Sequence, residues 1–180
     1  MKVTVTAIAD VFIIEPKVFD DSRGFFFEIF NQKAFNETTG LNVNFVQDIH
    51  SLSAKGVLRG LHYQVQQPPG KLVLRVVRGA VFNVAVDSRK SSPTFGKWVG
   101  LELREDNHKQ MWVQPGFAHG LVVLSESADF LYKTIEYYAP EHERWIAWND
   151  PEIGIQWPLT SGPNLSNKDQ YGMALLEAVT

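Results

Sequence analysis

The chain is expected to fold as an all-β sandwich or barrel, and three observations carry that expectation. Short runs of β-branched and aromatic residues recur along the sequence, turn-forming clusters separate most of them, and helical periodicity is confined to two short stretches. At 180 residues, 44% hydrophobic and 12% aromatic, the chain can bury one sizeable core. No charge run or low-complexity stretch divides it, so residues 1–180 are read as one domain.

Taken in order, Val3, Val5 and Ala7 alternate with Thr4 and Thr6 as a first strand. Further strands are expected at residues 25–30, 44–49, 57–63, 72–77, 80–87, 98–103, 109–113, 120–124, 130–137 and 145–148. Turns fall at Asp21-Ser22-Arg23-Gly24, Pro68-Pro69-Gly70, Arg78-Gly79, Ser92-Pro93-Thr94, Arg104-Glu105-Asp106-Asn107 and Pro115-Gly116. Residues 31–39 place Ala34 and Phe35 among polar helix formers before a stop at Gly40, which predicts a short helix or turn. From Ser166 onward Tyr171, Ala174, Leu175, Ala178 and Val179 fall at helical spacing, predicting a C-terminal helix packed on the barrel.

Composition narrows the function classes. With no cysteine there is neither a disulfide framework nor a thiolate nucleophile or metal ligand, and a reducing compartment is compatible. Thr4, Thr6, Asp10 and Glu15 interrupt the apolar residues of the first sixteen, leaving no signal-peptide core, and no run approaches transmembrane length. A cytoplasmic protein is expected. The net charge of −3 argues against nucleic acid or an anionic membrane as partner, so phosphate binding should be local, through a few cations in a pocket.

Chemistry concentrates in Gly56-Val57-Leu58-Arg59-Gly60-Leu61-His62-Tyr63-Gln64, where polar residues interrupt an apolar strand. Strict alternation would put Arg59 and His62 on opposite faces. A bulge at Gly60 would turn both into one cavity and join an anion binder to a titratable base. Downstream, Pro115-Gly116-Phe117-Ala118-His119-Gly120 sets a histidine after a tight turn at a strand start. That segment resembles the second motif of the cupin superfamily, a double-stranded β-helix or jelly-roll barrel in which this histidine often binds metal. The first cupin motif normally supplies His-x-His, whereas here it reads His62-Tyr63-Gln64, and two imidazoles without a suitably spaced carboxylate make a poor tight site. No metal is expected.

Several segments in order sharpen the resemblance: Asp21-Ser22-Arg23-Gly24-Phe25-Phe26-Phe27-Glu28, Phe45-Val46-Gln47-Asp48, the Gly56–Gln64 run, Gly116-Phe117-Ala118-His119-Gly120 and Trp148-Asn149-Asp150-Pro151. Across nearly its whole length the chain resembles the dTDP-4-dehydrorhamnose 3,5-epimerase family, cofactor-free cupin-fold isomerases of the dTDP-L-rhamnose pathway. The resemblance implies a 4-keto sugar nucleotide whose single ketone acidifies the hydrogens on both C3 and C5. Each inversion needs a base on one face, an enolate stabiliser, and an acid on the other face. By resemblance His62 is the base, Asp169 its partner carboxylate, Lys71 the enolate stabiliser and Tyr132 the acid. Arg23 and Arg59 are implied to grip the diphosphate and Tyr138 to stack on thymine, with Glu28, Gln47, Asp48, Ile49, His119, Glu143 and Lys168 as further substrate contacts. A homodimer is implied, and the alternating Val3–Ala7 segment is a candidate for pairing with a partner's sheet.

Taken singly, each residue has a structural role available. His62 fits a satisfied core histidine, Asp169 a capping box with Ser166, Tyr132 strand packing, Tyr138 a turn before proline, and Arg23 and Lys168 solvated surface charges. His119 can stabilise its own loop. Three positions depart from the family pattern. Ile49 replaces an asparagine, Trp145 stands where a small residue is common, and the Lys71–Val77 run is one residue longer than usual, an excess that a bulge would absorb. Epimerisation at C3 or C5 alone, ketoisomerisation on a related sugar, a metal-dependent oxygenase and a non-catalytic sugar-nucleotide binder remain the alternatives.

Overall fold

Two facing sheets enclose the core, and the β-branched and aromatic runs supply nearly all of their strands. The computed structural model describes residues 1–65 and 71–178, with residues 71–74 described by backbone alone. The first sheet orders β1 (Lys2–Val5), β2 (Val11–Glu15), β10 (Gln110–Val113), β7 (Lys71–Arg78), β12 (Ser127–Thr134) and β5 (Gln47–Ala54). The second orders β13 (Glu143–Trp145), β6 (Val57–Gln64), β11 (Phe117–Val123), β8 (Ala80–Asp87) and β9 (Trp98–Arg104), with β14 (Asn164–Leu165) added parallel to β6. A small hairpin joins β3 (Phe19–Asp21) to β4 (Gly24–Phe26).

The strand expected over residues 25–30 is shorter, ending at Phe26, and β2 was not among the expected strands. Val11, Phe12 and Ile14 are buried between β1 and β10, and such continuous apolar runs lack the period-two signature. The turn at Pro68-Pro69-Gly70 lies outside the described residues.

Between the sheets Val11, Val76, Val81, Leu103, Met111 and Phe130 pack in one cluster, burying side chains that contribute roughly 1.5–3 kcal/mol each when large and apolar. A second layer under α1 (Gln32–Thr39) gathers Phe12, Ile14, Phe35 and Trp112. Helix α1 forms where the sequence places it. The Asn31 side chain accepts from the Ala34 N–H at 3.0 Å, and Gly40 ends the helix at φ 71°, a left-handed conformation that glycine adopts without strain.

The C-terminal helical element consists of two single-turn 3-10 segments, Asp169–Tyr171 and Leu175–Glu177, rather than one α-helix. Gly172 separates them in an extended conformation, and a Cβ there would lie 2.4 Å from the Ala147 backbone nitrogen. Leu175 and Ala178 still bury against Leu61, Val84 and Ile146.

Two bulge regions shape the interior. On β6 two residues, Gly60 and Leu61, stand opposite the single Gly120 between the His119↔His62 and Leu121↔Arg59 pairs. On β7 the pairing with β12 slips twice, skipping Val77 and then Leu74, so the long Lys71–Val77 run is accommodated in the sheet.

Candidate functional site

A cleft of about 460 Å³ opens between the two sheets, and its walls come from opposite sides of the barrel. From the first sheet, Gln47, Ile49 and Ser51 alternate along β5, and Phe130, Tyr132 and Thr134 alternate along β12. From the second, β6 contributes Arg59, His62 and Gln64, and β11 contributes His119. The β6 bulge therefore does what the spacing required: residues three apart reach one cavity. Gly60 makes this possible at φ 134°, and its backbone approaches β11 so closely that a Cβ would lie 2.6 Å from the Gly120 Cα.

His62 Nε2 lies 2.5 Å from Asp169 Oδ1, with Asp169 only 3% exposed. The Gly60 N–H donates to the same carboxylate oxygen at 3.3 Å, and the Ser166 hydroxyl donates to Oδ2 at 2.6 Å. Burial alone would raise the Asp169 pKa, but the His62 and Ser166 hydrogen bonds outweigh it and hold the carboxyl below its ordinary value. Asp169 also donates its N–H to Ser166 Oγ at 3.4 Å, so the capping geometry and the imidazole contact coexist. A carboxylate so placed keeps one imidazole nitrogen protonated and leaves the other as proton acceptor.

Tyr132 stands on the other sheet. Burial pushes its phenol up, partly offset by the Arg59 charge, so it remains protonated well beyond neutrality. Arg59 is itself held by a 3.0 Å hydrogen bond from Nε to Ser53 Oγ on β5, tying the two walls together. His119 is 9% exposed and stacks on Phe130 at 6.4 Å between ring centroids.

At the cleft mouth Glu143 accepts from Lys168 Nζ at 2.9 Å and from the Tyr138 hydroxyl at 3.1 Å. Burial would raise the Glu143 pKa, but these partners and the nearby His62 hold it low. Gln47 Oε1 accepts from the Tyr138 backbone N–H and Gln64 Oε1 from that of Ala139, each at 3.2 Å, so both glutamines fix the loop that presents Tyr138. The Lys168 ammonium sits 5.8 Å from the centre of the Trp145 ring, which packs at the rim.

The cleft thus gathers His62, Tyr132, Asp169, Gln47, Ile49, Arg59, His119, Tyr138, Glu143 and Lys168. Arg23 is exposed and paired with Asp21, Glu28 accepts from Asn31 Nδ2, and Asp48 pairs with Lys133 at 2.6 Å. All three lie outside the cleft of this chain. Lys71 begins β7, but its side chain lies outside the described residues. Sequence reasoning missed Ser51, Ser53 and Thr134 as site residues and gave Ser166 a capping role alone. The i, i+2 spacing from Gln47 and from Tyr132 was the available signal for the strand residues. Among the described residues no cluster of three or more His, Cys, Asp or Glu could hold a metal ion.

Residues 5–177 match the family described as dTDP-4-dehydrorhamnose 3,5-epimerase. The chain is 61% identical over 178 residues to a protein of that name from Pseudomonas aeruginosa, covering 99% of this chain and 98% of the relative. A crystal structure of the Legionella pneumophila dTDP-6-deoxy-D-glucose-3,5-epimerase in complex with dTDP-4-keto-L-rhamnose superposes with a TM-score of 0.95 at 50% identity, over 98% of this chain and 93% of that one. A 3'-monoepimerase from Streptomyces bikiniensis in complex with dTDP-quinovose gives 0.89 at 30% identity, over 96% and 87%.

Proposed function

Since this chain belongs to the dTDP-4-dehydrorhamnose 3,5-epimerase family and catalyses that epimerisation, we propose that His62, backed by Asp169, is its base and Tyr132 its acid. The substrate is dTDP-4-dehydro-6-deoxy-D-glucose, and the product, dTDP-4-dehydro-L-rhamnose, is inverted at C3 and C5. The observation that carries the assignment is the 2.5 Å His62–Asp169 contact on one wall, with the Tyr132 phenol, pushed up by burial, on the facing sheet.

In each inversion the basic nitrogen of His62 takes the proton from the carbon next to the C4 ketone. The C–H electrons move into the ring and the charge develops on O4. Asp169 supports the imidazolium that forms, as a neighbouring carboxylate does in other imidazole bases. Tyr132 then delivers its hydroxyl proton to the opposite face, and solvent restores both groups. Lys71 is the proposed donor to the enolate oxygen, on the family resemblance. Arg59 faces the cleft from the same strand as His62, suiting it to the diphosphate, and Tyr138 at the mouth suits the thymine. Lys168 and Glu143 flank it there.

We assign no cofactor to this reaction, since acid–base groups alone balance its protons. A homodimer is proposed, supported by the exposed Phe25, Phe26 and Ile29 beside the displaced Arg23 and Glu28, and by β1 at the edge of its sheet. Static light scattering showing a monomer at assay concentration would contradict it. The net charge of −3 favours a nucleotide sugar over nucleic acid or membrane as partner, and the absence of cysteine suits the cytoplasm as location. Among the described residues no helix is long and apolar enough to cross a membrane.

Proton NMR of the turnover reaction in deuterium oxide tests the assignment. The wild type should incorporate deuterium at both C3 and C5, and His62→Ala should incorporate neither. Exchange at both positions by that variant would remove His62 as base.

A further inference from the structure

Arg23 is held by Asp21, Arg89 by Asp87 and Asp10, and Arg104 by Glu102 and Asp106. Arg59 in the cleft is held by a hydroxyl instead, its Nε–H donating to Ser53 Oγ at 3.0 Å. Among the described residues no ion pair engages it, and the cleft carboxylates Asp169 and Glu143 pair with His62 and Lys168. We propose that Ser53 is a positioning residue for the diphosphate, holding the Arg59 guanidinium in place while leaving its charge and its two terminal nitrogens to the ligand. The inference rests on the reading of Arg59 as the residue that grips the diphosphate.

A guanidinium presents five N–H donors in a flat fork. With Nε–H committed to Ser53, the four donors on Nη1 and Nη2 remain, so the edge offered to the ligand is the end-on pair, spaced for two phosphate oxygens. A carboxylate at position 53 would hold the arm equally well but would also offset its charge, and an incoming diphosphate would have to displace it. A hydroxyl oxygen accepts the hydrogen bond and leaves the charge whole. Ser53 is itself firmly placed. It is 7% exposed, continues the inward alternation of Gln47, Ile49 and Ser51 along β5, and pairs with Ala128 of β12.

The bond lies where the chain changes sheets. Strand β5 ends at Ala54 on the edge of the first sheet and β6 begins at Val57 in the second, so the turn at Lys55-Gly56 carries the backbone from one wall to the other. Ser53 and Arg59 close that corner from its two sides. Arg59 is exposed to the cleft, and without a tether its long side chain would sample several rotamers that binding would have to freeze. Ordering by Ser53 removes that penalty before the ligand arrives. The diphosphate takes no part in the bond changes at C3 and C5, so the effect is equal in ground state and transition state. It belongs to affinity and leaves kcat alone.

Titration calorimetry with two probes, dTDP and thymidine, separates positioning from a mere hairpin staple. Ser53→Ala should bind dTDP roughly 3- to 10-fold more weakly and thymidine as the wild type does. KM for the dTDP-sugar should rise by a similar factor at unchanged kcat. In an Arg59→Ala background the same substitution should weaken dTDP no further, because its effect runs through the guanidinium. Equal losses for dTDP and thymidine, a fall in kcat with KM unmoved, or additive losses in the double variant would overturn the proposal and leave Ser53 a staple of the hairpin. Wild-type dTDP affinity in Ser53→Ala would overturn it as well. If Arg59→Ala alone binds dTDP like the wild type, Arg59 is not the diphosphate residue and the proposal falls with that reading, while the assignments of His62 and Tyr132 stand.

Discussion

Asp169 Oδ1 lies 2.5 Å from His62 Nε2 although 107 residues separate them in the chain. Their meeting depends on Gly60, whose N–H donates to the same oxygen and whose bulge turns His62 into the cleft. A base and its orienting carboxylate are thus fixed by one strand irregularity and one terminal turn.

Asp169→Asn should preserve the fold and lower kcat on the order of 10²- to 10⁴-fold, with KM changed much less. An amide cannot compensate the imidazolium and also permits the wrong tautomer. Steady-state kinetics on the dTDP-sugar decide this, and a wild-type kcat would remove Asp169 from the mechanism.

Tyr132→Phe separates abstraction from return. His62 should still exchange substrate protons with deuterium oxide, while net inversion falls roughly 10²-fold or more for want of an acid on the opposite face. Because burial raises the Tyr132 phenol, the wild type should hold its proton-donating form past the pH at which a free phenol ionises. NMR detection of inversion at the wild-type rate would assign the acid elsewhere.

Gly60→Ala tests the close approach of β6 to β11. The added Cβ would meet the Gly120 Cα at 2.6 Å and the His119 carbonyl oxygen at 2.9 Å, at a φ that side-chain-bearing residues rarely adopt. A stability loss of about 1–3 kcal/mol is expected from the backbone conformation alone, with activity lost as the strands part. Urea denaturation with unchanged midpoint would refute this account.

Asp87 contributes to stability against acid. It is fully buried, and although burial raises its pKa, hydrogen bonds from Arg89, Ser92 and Thr94 lower it from 3.8 to about 2. A carboxyl depressed in the folded state stabilises fully above its unfolded value and loses that contribution as pH falls through the folded one. The protein should therefore lose about 2 kcal/mol between about pH 4 and pH 2 from this group. Denaturation midpoints across that range measure it, and Asp87→Asn should flatten the slope. An equal slope in the variant would place the acid sensitivity in other carboxyls.

The sequence by itself determined the class of fold, because strand alternation and turn chemistry are local. It also determined helix α1, whose cap and stop are adjacent to it, and the type of chemistry, because the ordered motifs resemble one enzyme family. It did not determine β2, whose continuous apolar run owes its strand conformation to neighbours on both sides, or the break of the C-terminal helical element at Gly172, whose backbone lies close against Ala147. The pairing of His62 with Asp169 and of His119 with Asn83 was decided only by tertiary structure, as was the holding of the Tyr138 loop by Gln47 and Gln64. Those contacts join residues far apart in the chain across a twisted, bulged barrel, and no local periodicity encodes which distant polar atom a buried side chain meets.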